Sequence, residues 1–376
     1  MHEDFLKEND PHSCLKKNKE MFCDSFKDVF NQRDQSQKKA EEFTKQCLKP
    51  AVENFVYSKV GPDILHEMRK QSQFIARVYS QYDILLDLLS NHNFSEYVRY
   101  IRSYEVYVKK WILDQTVKHL SKDSKMFELV DQHLDSSISS IKAAIHKATK
   151  KTSTDLKTFI NNFCQELGDT LVISQDALGD FMMLNKANQE QFAHWFTEFV
   201  NKMVKALKQE FKKRDIQSIL NHLDVKPQNE LFTQVIGCGK QCPFCAVACV
   251  SGGGNHSVHE APLHRPQGLN GYRRINTQKL VTNICSSSVV SDRQFICDAT
   301  KGEMIFYKRY KEIFSDWNIP ADGSYEASDY WKYVMATFNE EFAKEHSAKP
   351  ADIPTTWKDI TRLQAQQSLK DSFNMN

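Results

Sequence analysis

Apolar positions recur every three or four residues along most of the chain up to Leu223, with polar positions between them. Two runs show this spacing most clearly: Tyr97, Ile101, Tyr104, Val108 and Trp111, and then Phe192, Trp195, Phe199, Met203 and Leu207. This period places apolar side chains on one face of an α-helix. Glycine is nearly absent from the region. We therefore predict a succession of amphipathic helices that pack through aromatic side chains, with His194 at the surface.

Proline, glycine and turn-forming residues mark the predicted ends of these helices. Pro50 predicts an end or a kink, because proline lacks the N–H that a helix interior needs, and Gly61-Pro62 predicts a break. Ser95 is predicted to cap the helix that follows the turn at residues 91–95. An earlier amphipathic helix is predicted from a separate set of apolar residues: Met21, Phe22, Phe26, Val29 and Phe30.

The pattern changes after Gly271, where the helical period ends. β-Branched residues are frequent in residues 279–285, and residues 288–290 and 294–296 have the composition of short strands between polar turns. We expect this β region to pack against the cysteine- and histidine-rich segment that precedes it.

Aromatic residues are dense from Tyr307 onward, which predicts a packed module and not a disordered tail. Within this module, a helix is predicted to begin at Ser328 or Asp329 and to run through Phe342. The predicted fold class is mainly α. It consists of an extended helical bundle or stalk, followed by a small α+β C-terminal module built around a zinc knuckle.

These changes of pattern divide the chain into four predicted segments. The first two are helical: residues 1–38 form an N-terminal extension, and residues 39–225 form the bundle or arm. Residues 226–300 form a zinc-binding knuckle with short strands. Residues 301–376 form an aromatic-rich helical C-terminal module.

Composition and charge narrow the classes of function. The net charge of +2 over 376 residues is near zero, so no global basic character points to nucleic acid or to an anionic membrane. No apolar run approaches the roughly 18 residues of a membrane-spanning helix. The polar N-terminus has no signal-peptide core. We therefore expect a cytoplasmic protein, with the nucleus as a further location, in which clustered cysteines bind metal instead of forming disulfides.

Residues 238–271 contain four of the ten cysteines and three of the thirteen histidines. Cys242 and Cys245 are separated by two residues. Thirteen residues then precede His259, and four more precede His264. This is the spacing of a tetrahedral zinc site, because the short gap lets one turn direct both thiolates at one ion. We predict a structural zinc ion held by four residues, with Cys249 as a substitute: Cys242, Cys245, His259 and His264.

The same segment leaves other arrangements open. Cys238 and His256 are close enough in sequence to replace a ligand, and buried cysteines without a metal also fit the pattern. A DNA-reading finger would need both histidines on a helix. Three glycines, residues 252–254, and Pro262 disfavour a helix here. We therefore expect an irregular loop that holds the ion for structural reasons.

The motifs of several enzyme classes do not occur in the sequence. It contains no phosphate-binding P-loop, no dinucleotide fingerprint, no G-x-S-x-G elbow and no H-E-x-x-H pair. Two catalytic alternatives remain. Cys285 could act as a nucleophile, or zinc could keep an open position for water with Glu260 as the base. The ample supply of ligands favours a closed, structural site.

Several long segments resemble one known family, the interferon-inducible very large GTPases, which include the up-regulator of cell proliferation proteins. The similar segments include KPQNELFTQVIGCGKQCPFCAVAC (226–249), LHRPQGLNGY (263–272), KLVTNICSSSVVSDRQF (279–295) and EASDYWKYVMATFNEEFAKEHSAKPADIPTTWKDIT (326–361). Segments 43–56 and 171–196 extend the likeness toward the N-terminus. The chain resembles the C-terminal region of that family, without its GTPase domain.

The resemblance implies a non-catalytic helical scaffold or assembly module in an interferon-responsive protein of the immune response. It implies that the candidate ligands Cys242, Cys245, Cys249, His259 and His264 belong to a family feature. Protein partners or self-association are expected, and nucleic acid is not. GTP would bind only if a missing upstream domain supplied its site. The alternative is a zinc-dependent enzyme or a nucleic-acid-binding protein that uses the same Cys/His loop.

Overall fold

The computed structural model describes residues 35–151, 155–182, 189–251 and 256–375, together with Lys19 and Cys23. The helix predicted from Met21 to Phe30 therefore lies outside the described residues, as does most of the predicted segment 1–38. Contacts within the chain divide it into two compact units. One unit comprises Met1–Asp63 and Leu120–Val225, and the other comprises Ile64–His119 and Lys226–Asn376.

The chain is mainly helical, as predicted. Residues 35–43 are helical and lead through a π-helical turn, Thr44–Leu48, into the first named helix. The α-helices are α1 (Lys49–Arg69), α2 (Ser72–Ile75), α3 (Arg77–Asn91), α4 (Phe94–Arg102), α5 (Tyr104–Leu120), α6 (Lys125–Lys150), α7 (Leu156–Leu167), α8 (Gln175–Met182), α9 (Gln189–Lys213), α10 (Ile216–His222), α11 (Pro227–Leu231), α12 (Cys285–Ser288), α13 (Asp329–Thr337), α14 (Asn339–Glu345), α15 (Thr355–Lys358) and α16 (Arg362–Phe373).

Strands are short and lie in the second unit. They are β1 (His259–Glu260), β2 (Gln294–Phe295), β3 (Ile305–Phe306) and β4 (Trp317–Asn318). β1 pairs in parallel with β4, and β2 pairs antiparallel with β3. A further π-helical turn, Phe232–Ile236, follows α11.

The first unit is a helical bundle with an aromatic core. Helix α6 packs along α7 and α9, and α9 also packs on the π-helical turn that precedes α1. The Phe43 ring lies edge-on to Phe196, with centroids 5.2 Å apart, and Phe163 meets Phe196 at 5.1 Å. Edge-to-face pairs of this kind stabilise beyond their buried area, by about 0.5–1.5 kcal/mol each. The predicted aromatic stripe is thus a packing surface, and His194 is exposed as predicted.

The predicted break at Gly61-Pro62 is wrong, because α1 runs through both residues. A Cβ atom at position 61 would lie 2.6 Å from the carbonyl oxygen of Val225. Glycine therefore allows the close approach of the 225 backbone, and tertiary packing outweighs the hydrogen bond that Pro62 removes. The helix does not end at Pro50. A π-helical turn lies just before this proline, and α1 then continues through it.

Other predicted boundaries shift by a few residues. Asn93, and not Ser95, caps α4, since the Asn93 side chain accepts a hydrogen bond from the Ser95 N–H at 2.9 Å. The aromatic run from Tyr97 to Trp111 is divided between α4 and α5 at Ser103. Helix α13 begins after Ser328, as predicted, but it ends at Thr337.

The strands predicted at residues 279–285 and 288–290 are not formed; of this region, Gln294–Phe295 is the predicted strand that the structure contains. Residues 285–288 form the helical turn α12 instead. The Ser288 hydroxyl donates to the carbonyl of Ile284 at 2.9 Å, which stabilises the turn. Local side-chain bonding of this kind competes with strand pairing.

The second unit joins helices to the irregular cysteine-rich region. Helix α16 packs on α3 and α13. The Tyr330 hydroxyl of α13 donates to the carbonyl of Leu85 in α3 at 3.0 Å. The division into two units cuts across the predicted helical segment 39–225, since residues 64–119 belong with the C-terminal region. That the four predicted segments are independent domains stays a prediction.

Candidate metal centre

Eight cysteine and histidine side chains gather into two groups of four in the second unit. We call Cys242, Cys245, His264 and Cys285 the inner cluster, and Cys238, Cys249, His256 and His259 the outer cluster. Within each cluster, the possible ligand atoms all lie within 4.8 Å of one another. All four residues of the inner cluster are buried, whereas Cys238 and His256 of the outer cluster are half-buried.

The distances between ligand atoms match those of a tetrahedral zinc site. Zinc bonds of about 2.3 Å to sulfur and about 2.05 Å to nitrogen place two sulfurs about 3.8 Å apart, and a sulfur and a nitrogen about 3.5 Å apart. In the inner cluster, the Cys242 and Cys285 sulfurs are 3.8 Å apart, and Cys245 Sγ lies 3.2 Å from His264 Nδ1.

The outer cluster has similar dimensions. Cys238 Sγ lies 3.6 Å from His259 Nδ1, and Cys249 Sγ lies 3.4 Å from His256 Nε2. Both clusters therefore have the size that one metal ion requires, without rearrangement of the backbone.

A tight hairpin positions the first two ligands of the inner cluster. Gln241 and Ala248 form an antiparallel bridge, and the Cys242 N–H donates to the Val247 carbonyl at 2.8 Å. Ala246 has a positive φ of 57°, which reverses the chain directly after the second thiol. The Ala246 N–H donates to the Cys242 carbonyl at 2.8 Å, which closes the turn that brings both sulfurs toward one point.

The hairpin tip is anchored by Phe244, which is fully buried. Its ring packs against Phe295 and Tyr307, with centroids 4.9 Å away in each case. Burying an aromatic side chain of this size contributes roughly 1.5–3 kcal/mol. Phe244, one of the two residues between the thiols, thus fixes the hairpin to the aromatic core of the C-terminal module.

Backbone pairing brings the distant ligand Cys285 to the same place. The Gln267 and Gly268 N–H groups donate to the carbonyls of Asn283 and Val281 at 3.0 and 2.9 Å. A Cβ atom at position 268 would lie 2.5 Å from the Val281 carbonyl oxygen, so this close approach requires glycine. The chain then turns into α12, which directs the Cys285 thiol inward.

The outer cluster is built on β1. The His259 N–H donates to the Asp316 carbonyl at 2.6 Å, and the imidazole Nε2 lies 3.8 Å from Asp316 Oδ2. The nitrogen that faces Cys238 is Nδ1, so the carboxylate approaches the opposite side of the ring. At 3.8 Å the carboxylate is within ion-pair range of this nitrogen but beyond hydrogen-bond distance.

The charge distribution suits a cation in both clusters. Burial raises the pKa of the Cys242 and Cys285 thiols well above their usual range. Burial also opposes ionisation of Cys245, but hydrogen bonds from these two thiols and the nearby His264 bring the pKa of Cys245 well below its usual range. The cluster thus already stabilises one thiolate, and a divalent ion would displace the protons of the other two.

In the outer cluster, burial opposes ionisation of Cys249. Hydrogen bonds from the backbone of Glu260 and from Ser251 outweigh this effect and lower the pKa of the Cys249 thiol to about 6. The Ser251 N–H donates to this sulfur at 3.4 Å. Cys249 is therefore largely a thiolate at neutral pH, which is the form that binds a metal ion.

Sulfur and imidazole donors favour zinc over magnesium or calcium, which take oxygen ligands. Each cluster offers four ligands, the number of a closed structural site. Among the residues that the structure describes, these are the groups of three or more possible ligands that fit one ion. The ligand chemistry and the dimensions therefore both fit zinc.

The structure divides the predicted ligands between the two clusters. Cys242, Cys245 and His264 lie in the inner cluster, whereas His259 and Cys249 lie in the outer cluster. The fourth member of the inner cluster is Cys285, which the spacing rule does not include. The available signal was the number of donors, since the seven cysteines and histidines of residues 238–271 exceed the four that one tetrahedral site takes.

The two catalytic alternatives receive no geometric support. Cys285 is fully buried among other ligands of the inner cluster, and its thiol is held in the protonated form by burial. Glu260 is exposed, and it is a member of neither cluster. Its backbone carbonyl accepts from the Val250 N–H at 2.8 Å, which ties together the two ends of the outer-cluster loop.

Comparison with known proteins connects this region to one family. Residues 238–369, which contain both clusters, match the family model described as "Interferon-induced very large GTPase 1, C-terminal domain". The predicted resemblance is confirmed. The chain is 30% identical over 391 residues to interferon-induced very large GTPase 1 of Mus musculus, and 26% identical over 384 residues to the protein of the same name in Homo sapiens.

These similarities cover 98% of the chain but 16% of the length of each relative. The chain thus corresponds to the C-terminal part of these very large GTPases. No solved structure matches it at a significant level. Among the helices that the structure describes, none is both long and apolar enough to cross a membrane.

Proposed function

We propose that this chain is a non-catalytic scaffold of the very large GTPase family whose C-terminal module is held together by two structural zinc ions. The observation that carries the proposal is the pairing of eight donors into two clusters of zinc dimensions. The inner cluster joins residues up to 43 positions apart and the outer cluster joins the two ends of residues 238–259, so each ion would connect parts of the chain that have little regular secondary structure. Structural zinc sites stabilise such folds directly.

The relatives extend this proposal to the whole protein. Their names describe GTPases, and the chain spans their C-terminal part. We propose that guanine-nucleotide chemistry resides elsewhere in such a protein, and that this region supports self-association or binding of a protein partner in the interferon response. Because the cysteines have to remain reduced to bind zinc, the proposed location is the cytoplasm, with the nucleus as a further location.

Zinc content tests the structural part of the proposal. The full chain, purified under reducing conditions without added metal, should contain two zinc ions per chain by elemental mass spectrometry. A strong chelator should remove them and lower the thermal stability of the second unit, as seen by hydrogen exchange in residues 238–300. A chain that contains no zinc, or one whose exchange is unchanged by the chelator, would contradict the proposal.

The assembly role needs a separate measurement. Light scattering coupled to size exclusion, over a series of protein concentrations, should show a concentration-dependent increase in mass for the zinc-loaded chain. The chelator-treated chain should associate less. A zinc-loaded chain that stays monomeric at all concentrations, and that recovers no protein partner in cells treated with interferon, would argue against the scaffold.

A further inference from the structure

Among the described residues, Arg265 is the largest fully buried side chain, with 1% of its surface exposed, and it lies directly after His264 of the inner cluster. Its Nε donates to the Cys245 carbonyl at 2.7 Å, and its Nη2 donates to the Ala246 carbonyl. The guanidinium thus holds the turn of the hairpin that presents Cys242 and Cys245.

The guanidinium also lies within cation–π distance of two aromatic rings. Its Cζ lies 5.6 Å from the Tyr100 centroid and 4.9 Å from the Trp331 centroid. Tyr100 belongs to α4 and Trp331 to α13, and the two rings are stacked with 18° between their planes. Arg265 is therefore placed between the candidate metal centre and the helices of the same unit.

This buried cation lacks the usual partner. Among the described residues, no carboxylate forms an ion pair with Arg265, and burial lowers the pKa of its guanidinium. Burial of an unpaired charge is unfavourable. The two cation–π contacts offset part of this cost. A net negative charge nearby would supply the remainder.

Metal ligation would create that charge in the inner cluster. Three thiolates and one divalent ion leave one net negative charge, because the imidazole of His264 is neutral. In the outer cluster, two thiolates and one divalent ion cancel. The cluster with excess negative charge is thus the one that contacts the buried guanidinium.

We propose that Arg265 is the counter-ion of the inner metal centre, and that its positive charge stabilises the bound, three-thiolate state. This inference rests on the proposed function, since it requires a divalent ion in the inner cluster. By linkage, the same interaction makes packing of the hairpin against Tyr100 and Trp331 depend on metal occupancy. Arg265 is a positioning residue that does not itself bind the ion.

The first test separates the effect of the Arg265 charge on zinc affinity from the effect of the shape of its side chain. Arg265→Met removes the charge and keeps a long apolar side chain, whereas Arg265→Lys keeps the charge and loses the fork of donors. Release of zinc from the full chain to a chromophoric chelator gives the affinity of each site, and the His256→Ala background identifies the inner ion. Arg265→Met should weaken the inner site by about 10- to 100-fold, and Arg265→Lys by less.

Arg273 provides the matched control. Like Arg265, it donates to two backbone carbonyls, those of His346 and Ser347 at 3.0 and 2.9 Å, but it is exposed and belongs to neither cluster. Arg273→Met should leave both zinc affinities unchanged. Equal losses for Arg265→Met and Arg265→Lys would overturn the counter-ion role, because they would show that hydrogen bonding or shape matters instead of charge.

The second test changes the charge of the centre itself. Cys285→His converts three thiolates to two and makes the zinc-bound inner centre neutral. In the wild-type background this substitution should weaken binding, but it should partly restore binding in Arg265→Met. The readout is the difference between the change in zinc affinity of the double variant and the sum of the changes in the two single variants. The absorption spectrum of the cobalt-substituted chain separately reports the loss of one thiolate ligand. Additive effects would overturn the proposal.

Zinc content and the affinity of the Arg265→Met variant distinguish failure of the proposed function from failure of the counter-ion role. A wild-type chain without zinc in the inner cluster overturns both the proposed function and the role of Arg265. A wild-type chain with two zinc ions, together with an Arg265→Met variant that binds them equally tightly, leaves the proposed function intact and removes the counter-ion role alone.

Discussion

The sulfur atoms of Cys242 and Cys285, which are 43 residues apart in the chain, lie 3.8 Å from each other. This is the separation of two thiolates on one tetrahedral zinc ion. It joins the hairpin of the C-x2-C pair to α12, and the two segments share no strand pairing with each other. The contact therefore makes the inner cluster one of the points that connect the cysteine-rich segment to the rest of the module.

Substitution of this distant ligand should have a large effect. We expect Cys285→Ser to reduce the zinc content from two ions to one and to destabilise the second unit by at least about 2 kcal/mol, since metal binding is coupled to folding. Differential scanning calorimetry and elemental analysis would measure both quantities. Cys297→Ser is the control, because Cys297 is a half-buried cysteine outside both clusters. Equal zinc contents in the two variants would contradict the assignment.

The two clusters should release metal at different rates. The inner ligands are all buried, whereas Cys238 and His256 of the outer cluster are partly accessible. A chelator should therefore remove zinc in two phases, and His256→Ala should abolish the faster one. His264→Ala should abolish the slower phase and lower the melting temperature more than His256→Ala does. A single phase in the wild-type chain, or the loss of the slow phase in His256→Ala, would be inconsistent with this order.

The close approach at Gly61 predicts opposite effects for two glycine substitutions. Gly61→Ala places a methyl group 2.6 Å from the Val225 carbonyl oxygen and should destabilise the first unit by about 1–3 kcal/mol. Gly179→Ala is the matched control in α8, where a Cβ atom meets nothing within 4 Å, and should stabilise by about 0.5–1 kcal/mol. Urea denaturation measures both changes. An unchanged free energy of unfolding in Gly61→Ala would show that residue 61 and the backbone of residue 225 can move apart to accommodate the methyl group.

His346 should make the second unit sensitive to mild acid. Its Nε2 lies 3.1 Å from the Leu269 carbonyl, and burial lowers the pKa of His346 below its usual value of 6.5. The unfolded chain therefore binds the proton more tightly than the folded chain. The stability that neutral His346 contributes to the second unit is fully present above pH 6.5. It is lost as the pH falls from that value through the lower pKa of His346 in the folded chain.

His346→Gln keeps an N–H donor but does not titrate, so it tests this effect. The melting temperature of the wild-type chain should fall relative to that of His346→Gln between pH 7.5 and pH 5.5. His194→Gln, at an exposed position, should follow the wild type throughout. Any zinc released at acidic pH would be released from all three chains, so the difference between the curves reports His346. Parallel curves for all three would exclude the contribution.

The helical part of the fold was largely predictable because its signal is local. The periodic aromatic positions of α9 and the helix start after Ser328 follow from side chains within one or two turns. Gly61-Pro62 misled the sequence-based prediction for the opposite reason. The free energy that keeps α1 continuous there comes from packing against residue 225, which no local pattern contains.

The sequence by itself determined that this protein is mainly helical, that it resembles the C-terminal region of very large GTPases, and that a cysteine- and histidine-rich segment could bind zinc. Only the tertiary structure decided which donors meet. Spacing constrains Cys242 and Cys245, because a two-residue turn has few conformations. It does not constrain His259, His264 and Cys285, since their positions depend on strand pairing and on the path of the backbone between them. The same dependence brings the Arg265 guanidinium to the carbonyls of Cys245 and Ala246, next to the inner cluster.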